Sequence, residues 1–314
     1  MNRKQKLFLA SITLIIIITV SIVAFSSIRQ NSGKLNVVTT FYPLTFLSQE
    51  IGGDYIQVTQ LVPSNTEIHS WEPAASHIIA AEDADIILYN GAGLDQWIED
   101  DVLPALSNTK TRTVVETTLG LELLSGNEHE SESEEHEHGL YDPHTWVSPY
   151  MAKLQAEKIF NALVQKDPQH EVYYTERWMD LKGRLEQLDN EYLTGLSTAK
   201  KDAIFVSHEA FGYLAHRYGF EQYGVIGLSA DEQPSAATIA ILIGLMQEHD
   251  TFVVYVDPVY SSEYAQMIKS EIQTQTGDTV TVLELYLMLG PTDGKDLLTQ
   301  MQLNLANLKT GLDT

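Results

Sequence analysis

Beyond residue 33 the chain alternates short apolar or β-branched runs with amphipathic stretches. Leu35–Thr40 (LNVVTT) is the first run, and Pro43 opens an amphipathic stretch that reaches Ile51 and stops at Gly52-Gly53. Ile56–Val62 predicts a second strand and Ala74–Glu82 a helix. Asp85–Tyr89 (DIILY) reads as a buried strand, and Thr111–Val115 as a further one. The same style returns later in the chain. Ala203–Val206, Gly224–Gly227, Thr251–Val256 and Val280–Leu285 predict strands, with Ala210–Tyr218, Ala236–His249 and Ser262–Gln275 as helices between them. Strands alternating with helices imply parallel sheets joined by right-handed crossovers. The expected fold class is therefore α/β, in two halves that are each a mostly parallel sheet flanked by helices.

Between the halves, Asp167-Pro168 has the form of an N-cap followed by proline at the first helical position. Tyr174, Trp178, Leu181, Leu185, Leu188, Tyr192 and Leu196 then recur at spacings of 4, 3, 4, 3, 4 and 4. That is one apolar stripe on a helix about 40 Å long at 1.5 Å per residue. Gly183 weakens it locally by about 1 kcal/mol relative to alanine. On periodicity alone the segment is equally a stiff strut crossing both halves or an ordinary core helix.

The N-terminus has a different pattern. Arg3, Lys4 and Lys6 precede an uncharged run of 22 residues, Leu7–Ile28. A basic start before an apolar stretch is an export address, and a run of this length also spans the hydrocarbon core as a helix. It is read as a retained anchor or as a signal cleaved after Ser26, with the bulk of the chain outside the cytoplasm. The whole chain of 314 residues carries 43 acids against 19 bases, a net charge of −24, yet residues 1–30 hold four bases and no acid. So acidic a surface repels phosphate backbones, which argues against nucleic-acid binding, and suits a protein that meets cations. There is no cysteine. That excludes disulfides, thiolate metal sites, cysteine nucleophiles and lipid attachment through an N-terminal cysteine, so any metal site must be built from His, Asp and Glu.

Residues 126–139 (GNEHESESEEHEHG) contain six Glu, three His and no apolar side chain. Such a segment has nothing to bury and is expected to be a mobile loop. His129, His136 and His138 in it are accessory cation donors without fixed geometry. Of the ten histidines, three have a distinct context. His69 lies in Glu67-Ile68-His69-Ser70-Trp71-Glu72-Pro73, beyond a strand. His144 lies in Asp142-Pro143-His144-Thr145-Trp146, before the helix opened by Ser148-Pro149. His208 follows the strand starting at Ala203. In open α/β sheets the binding crevice lies outside the carboxyl ends of strands, and imidazole suits zinc, manganese or iron. His77, His170, His216 and His249 fall on helices or helix ends and are read as structural.

These motifs resemble a known family. Val37-Val38-Thr39-Thr40-Phe41-Tyr42-Pro43 is similar to its first strand and turn. His69-Ser70-Trp71-Glu72-Pro73, Asp142-Pro143-His144-Thr145-Trp146 and Ser207-His208-Glu209-Ala210-Phe211-Gly212-Tyr213-Leu214 resemble its three metal-ligand motifs, and Gly227-Leu228-Ser229 with Gln233-Pro234-Ser235 also matches. The family is the zinc/manganese substrate-binding proteins of ABC importers, of the high-affinity zinc-uptake type, and the resemblance runs from about Leu35 to Leu308. It implies two α/β lobes joined by one long rigid helix, with the metal held between them by His69, His144 and His208. The division it suggests is 1–33 signal or anchor, 34–166 N-terminal lobe with the acidic loop 126–139, 167–197 linking helix, and 198–314 C-terminal lobe. It further implies Zn²⁺ as the transported ligand, an ABC permease in the membrane as partner, and no enzymatic activity. A monomer is the expected state.

The chain departs from the family where many members place a fourth, carboxylate ligand. Here Leu283-Glu284-Leu285-Tyr286-Leu287-Met288-Leu289-Gly290 stands, with Leu287 or Met288 at that position. Glu284 and Asp257 are the nearby candidates for a fourth ligand or a supporting group. Three neutral imidazoles plus water favour zinc over manganese, which prefers oxygen donors. Asp142 and Glu209, each near a ligand, are candidates to orient the rings. Two other readings stay open: a manganese or iron binder of the same family, and a three-His zinc hydrolase or hydratase. Against the latter, neither H-E-x-x-H nor G-x-S-x-G occurs.

Overall fold

The first sheet starts at β1 (Leu35–Thr39), followed by α1 (Tyr42–Gly52), β2 (Ile56–Gln60), α2 (Ala75–Glu82), β3 (Ile86–Tyr89) and β4 (Thr113–Glu116). These positions come from a computed structural model of the chain, in which residues 33–107, 109–126, 141–227 and 236–314 are described. The strand order is β2-β1-β3-β4, and every neighbouring pair is parallel. All four residues of β3 are buried, as a central strand covered on both faces requires, which explains its continuous apolar run. The ladder ends at Gln60, but Leu61 and Val62 still donate to the Thr39 and Thr40 carbonyls at 2.9 and 2.8 Å.

Two helices then connect the sheets. α3 (Pro149–Lys166) starts with proline at its first position, and α4 (Glu171–Leu196) is 26 residues long, about 39 Å. The expected cap at Asp167 is not made. Pro168–His170 forms a 3₁₀ turn instead, and Asp167 accepts from His170 Nδ1 at 2.6 Å and Tyr174 OH at 2.8 Å. All seven predicted stripe residues of α4 are buried. At about 2 kcal/mol for each buried large apolar side chain, the stripe outweighs the helix-propensity cost of Gly183 several times over. One end of α4 ties to α1, where Arg177 Nε donates to the Glu50 carbonyl at 2.6 Å. Near its other end Tyr192 OH donates to Met301 O at 2.6 Å.

The second sheet has β5 (Ala203–His208), α5 (Gly212–Tyr218), β6 (Glu221–Ile226), α6 (Ala236–Glu248), β7 (Val253–Val256), α7 (Glu263–Gln275) and β8 (Thr281–Glu284), in the parallel order β6-β5-β7-β8. It therefore repeats the topology of the first sheet. β5 runs two residues beyond the predicted Val206, so His208 is its last residue and pairs with Ile226. α8 (Leu297–Gly311) closes the chain and was not expected from the sequence pattern. One continuous apolar cluster joins residues of both sheets, α1, α3, α4 and α8, while two smaller clusters lie one in each lobe. Leu35–Thr314 is one compact unit. Among the described residues no helix is long and apolar enough to cross a membrane. The predicted anchor and the histidines His129, His136 and His138 of the acidic loop lie outside the described residues, as does Leu228–Ser235.

Candidate metal centre

His208 reaches the site from the carboxyl end of the central strand β5. His144 lies in the turn that enters α3, and His69 in the irregular segment after β2. Each of the three offers a ring nitrogen, and these nitrogens lie within 4.8 Å of one another. Among the described residues no other group of three or more His, Asp or Glu meets in this way. The Nε2 atoms of His69 and His144 are 3.0 Å apart. The His208 ring stands nearly perpendicular to both, with centroids 5.4 Å from His69 and 4.9 Å from His144. A tetrahedral ion with Zn–N bonds of about 2.0–2.1 Å separates its ligand atoms by about 3.3 Å, so modest ring adjustments bring these nitrogens to that spacing.

The two inner rings are almost fully enclosed, His144 at 1% and His208 at 3% exposure, and His69 is half-buried. Asp142 Oδ1 accepts from both the backbone N–H of His144 at 2.9 Å and its Nδ1 at 2.8 Å. An ionised Asp142 can only accept, and in that form Nδ1 carries the proton and Nε2 presents its lone pair to the other rings. Burial, then the charge of His208, holds the His144 imidazole well below its ordinary range, which keeps it in the neutral form that metals require. Burial also pushes Asp142 up to about 7, against the pull of the His144 N–H and the His208 charge. Asp142 is clamped from the second lobe as well: Tyr213 OH donates to its carbonyl at 2.7 Å. Gly212 packs so close that a Cβ there would stand 2.5 Å from Asp142 Oδ2.

The carboxylates suggested as further ligands lie elsewhere. Glu284 is exposed at the end of β8, where Tyr286 OH donates to it. Asp257 is buried after β7, and its two oxygens accept from the backbone N–H groups of Val259, at 2.6 Å, and Leu287. Burial pushes it up to about 6. Neither belongs to the histidine cluster. Glu209 accepts from Gly224 N–H on β6 at 2.9 Å. Leu287 and Met288 are both buried, within a strap from Leu285 to Gly290 that links the lobes. Trp146 Nε1 donates to Leu287 O at 2.8 Å, and Asn65 N–H to Leu289 O at 2.9 Å. Asn304 closes both backbone groups of Tyr286 at 2.7 and 2.8 Å, and Gln300 reaches Gly290 O at 2.8 Å.

The sequence reading missed two polar side chains beside the cluster. Glu67 Oε1 accepts the His69 backbone N–H at 2.9 Å, and its other oxygen accepts from Tyr260 OH of the second lobe. Glu67 was visible two residues before His69, but nothing in the sequence ties it to a tyrosine almost two hundred positions away.

Two all-parallel α/β lobes spanned by a long helix, with imidazoles from both lobes converging at their junction, define a class of two-lobed proteins built around an interlobe site. A family model described as zinc-uptake complex component A, periplasmic, matches residues 37–311, and the chain belongs to that family. The chain is 34% identical over 292 residues to the high-affinity zinc uptake system protein ZnuA of Bacillus subtilis, covering 89% of this chain and 88% of that protein. It is 32% identical over 314 residues to the zinc-binding lipoprotein AdcA of Streptococcus pneumoniae, covering 99% of this chain but only 61% of AdcA. The crystal structure of the Zn(II)-bound ZnuA-like domain of AdcA superposes with a TM-score of 0.74 at 30% identity, covering 90% of this chain and all of that one.

Proposed function

We propose that the protein captures Zn²⁺ outside the cytoplasm through His69, His144 and His208 and delivers it to the permease of an ABC importer. The observation that carries this reading is the convergence of three imidazoles, two of them enclosed, within 4.8 Å. Neutral nitrogen donors suit zinc, whereas manganese prefers oxygen, and no carboxylate joins the cluster among the described residues. The family and the names of the relatives support the same cargo and an uptake role rather than catalysis. In this reading the acidic loop 126–139 gathers cations by electrostatic attraction, and the apolar run Leu7–Ile28 exports or anchors the chain as a monomer.

The test is a chelator-competition titration of the metal-stripped full chain with Zn²⁺ and Mn²⁺ in parallel. One tight zinc site, far weaker manganese binding, and losses well over tenfold in His69→Ala, His144→Ala and His208→Ala are expected. Deleting residues 128–138 should remove only weaker, additional binding. Tight binding that survives the alanine variants, or that disappears with the loop, would overturn the assignment.

A further inference from the structure

The three histidines are not held equally. His208 is fixed by its strand, and His144 by Asp142. His69 sits in a segment without regular structure and is the most exposed of the three. Its backbone N–H is held by Glu67, and Glu67 is in turn gripped from across the junction by the Tyr260 hydroxyl.

We propose that Glu67 and Tyr260 form a latch between the lobes that positions His69 and governs how fast the bound ion leaves. The inference rests on the three-histidine reading given above. The latch has a built foundation. Tyr260 occupies the turn after β7, where its own N–H donates to the Asp257 carbonyl at 3.0 Å and Val259 N–H donates to Asp257 Oδ1 at 2.6 Å. The other oxygen of Asp257 accepts from Leu287 N–H in the interlobe strap. Asp257 therefore pins the turn that carries the tyrosine to the strap that joins the lobes. The Tyr260 ring also lies 6.0 Å from the His208 ring, at 67° to it. One phenol thus walls the histidine of its own lobe and, through Glu67, holds the histidine segment of the other. A hydroxyl donating to a carboxylate is a charge-assisted bond, about twice as strong as a neutral one, and breaking it loosens the segment that carries the most exposed of the three histidines.

The test measures Zn²⁺ release from the loaded full chain into excess chelator by stopped flow. Tyr260→Phe keeps the ring and removes only the hydroxyl, and should speed release by about tenfold to a hundredfold. Glu67→Gln keeps an oxygen for the His69 N–H but replaces the charge-assisted bond with a neutral one, so its effect should be smaller. Once the hydroxyl is gone, adding Glu67→Gln should cost only the weakening of the His69 N–H bond, well short of its effect in the wild-type background, because the interlobe contact is already lost. Wild-type release from both single variants, or effects that multiply in the double variant, would overturn the latch. Lower thermal stability of the metal-free protein with unchanged release would also overturn it. His69→Ala, run alongside, separates the two claims. If it abolishes tight zinc binding while Tyr260→Phe does nothing, only the latch falls. If it leaves tight binding intact, the three-histidine reading falls first.

Discussion

Replacing Asp142 tests how much of the proposed zinc site depends on a side chain outside the histidine cluster. Its Oδ1 takes two hydrogen bonds from His144, at 2.9 Å from the backbone and 2.8 Å from Nδ1. Asp142→Ala removes both, leaving the enclosed imidazole without the partner that fixes its proton and its ring plane. Loss of such a supporting group costs about 10–100-fold in metal affinity, or about 1.4–2.7 kcal/mol. Asp142→Asn is milder, because its amide oxygen accepts both bonds but lacks the charge that roughly doubles their strength. The expected order of Zn²⁺ affinity is wild type, then Asn, then Ala, read by competition against a chelator of known affinity at neutral pH. The metal-free variants should keep the wild-type far-ultraviolet circular dichroism, since α3 begins after this turn. If Asp142→Ala bound zinc as tightly as wild type while His144→Ala did not, the ring would be set by packing alone and the argument from the carboxylate would fail.

Other consequences are as direct. Gly183 is exposed in the interior of α4, and a Cβ there would meet nothing within 4 Å, so Gly183→Ala should stabilise the protein by about 0.5–1 kcal/mol; a lower thermal midpoint would contradict this. Gly212→Ala would place a methyl 2.5 Å from Asp142 Oδ2 and should weaken zinc binding in the same titration; unchanged affinity would mean the carboxylate moves freely. Asn304→Leu strands the N–H and C=O of Tyr286 at about 1–3 kcal/mol each, a loss that urea unfolding would detect. Asp95 is buried and pushed up from 3.8 to about 6. Between those values the native state binds more protons than the unfolded one, so this group makes stability fall as pH rises from about 4 to 6, by roughly 3 kcal/mol. Asp95→Asn should flatten that slope in urea midpoints at pH 4.5 and 7, and an identical slope would acquit Asp95.

What was legible in the sequence was governed by local periodicity. The seven-residue stripe of α4 is buried as its spacing required, and the alternation of strands and helices yields two parallel sheets. Asp167 and Pro168 do open the helical path, but as a 3₁₀ turn ahead of α4, because Asp167 gives its carboxylate to His170 and Tyr174 rather than to a side-chain cap. His69, His144 and His208 stood out by their positions relative to strands and by family motifs, not by mutual spacing, since they are 75 and 64 residues apart. The strap was opaque. Beyond the predicted strand end at Leu285 the sequence offers no pattern for Tyr286-Leu287-Met288-Leu289, whose backbone is irregular, with Met288 at φ 60°. Its hydrogen bonds go to Asn65, Trp146, Asp257, Gln300 and Asn304, most of them far away in sequence. No window of neighbouring residues contains that information. Glu67 and Tyr260 were hidden for the same reason.

The interactions between the lobes differ widely in strength, and that ordering bears on how an ion reaches the histidines. Separating the lobes as bodies would expose part of the α4 stripe, at about 2 kcal/mol for each large apolar side chain uncovered. It would also strip the strap of its bonds to Trp146 and Asn65, at about 1–3 kcal/mol for each buried group left unpaired. Opening the Glu67–Tyr260 contact costs one half-buried, charge-assisted bond, about 1.5–3 kcal/mol before water replaces it. The cheapest motion that bares His69 is therefore displacement of its own irregular segment, with α4 and the strap intact. In the proposed three-histidine site, His144 and His208, enclosed and anchored to opposite lobes, would be the fixed pair and His69 the ligand that such a displacement adds or withdraws.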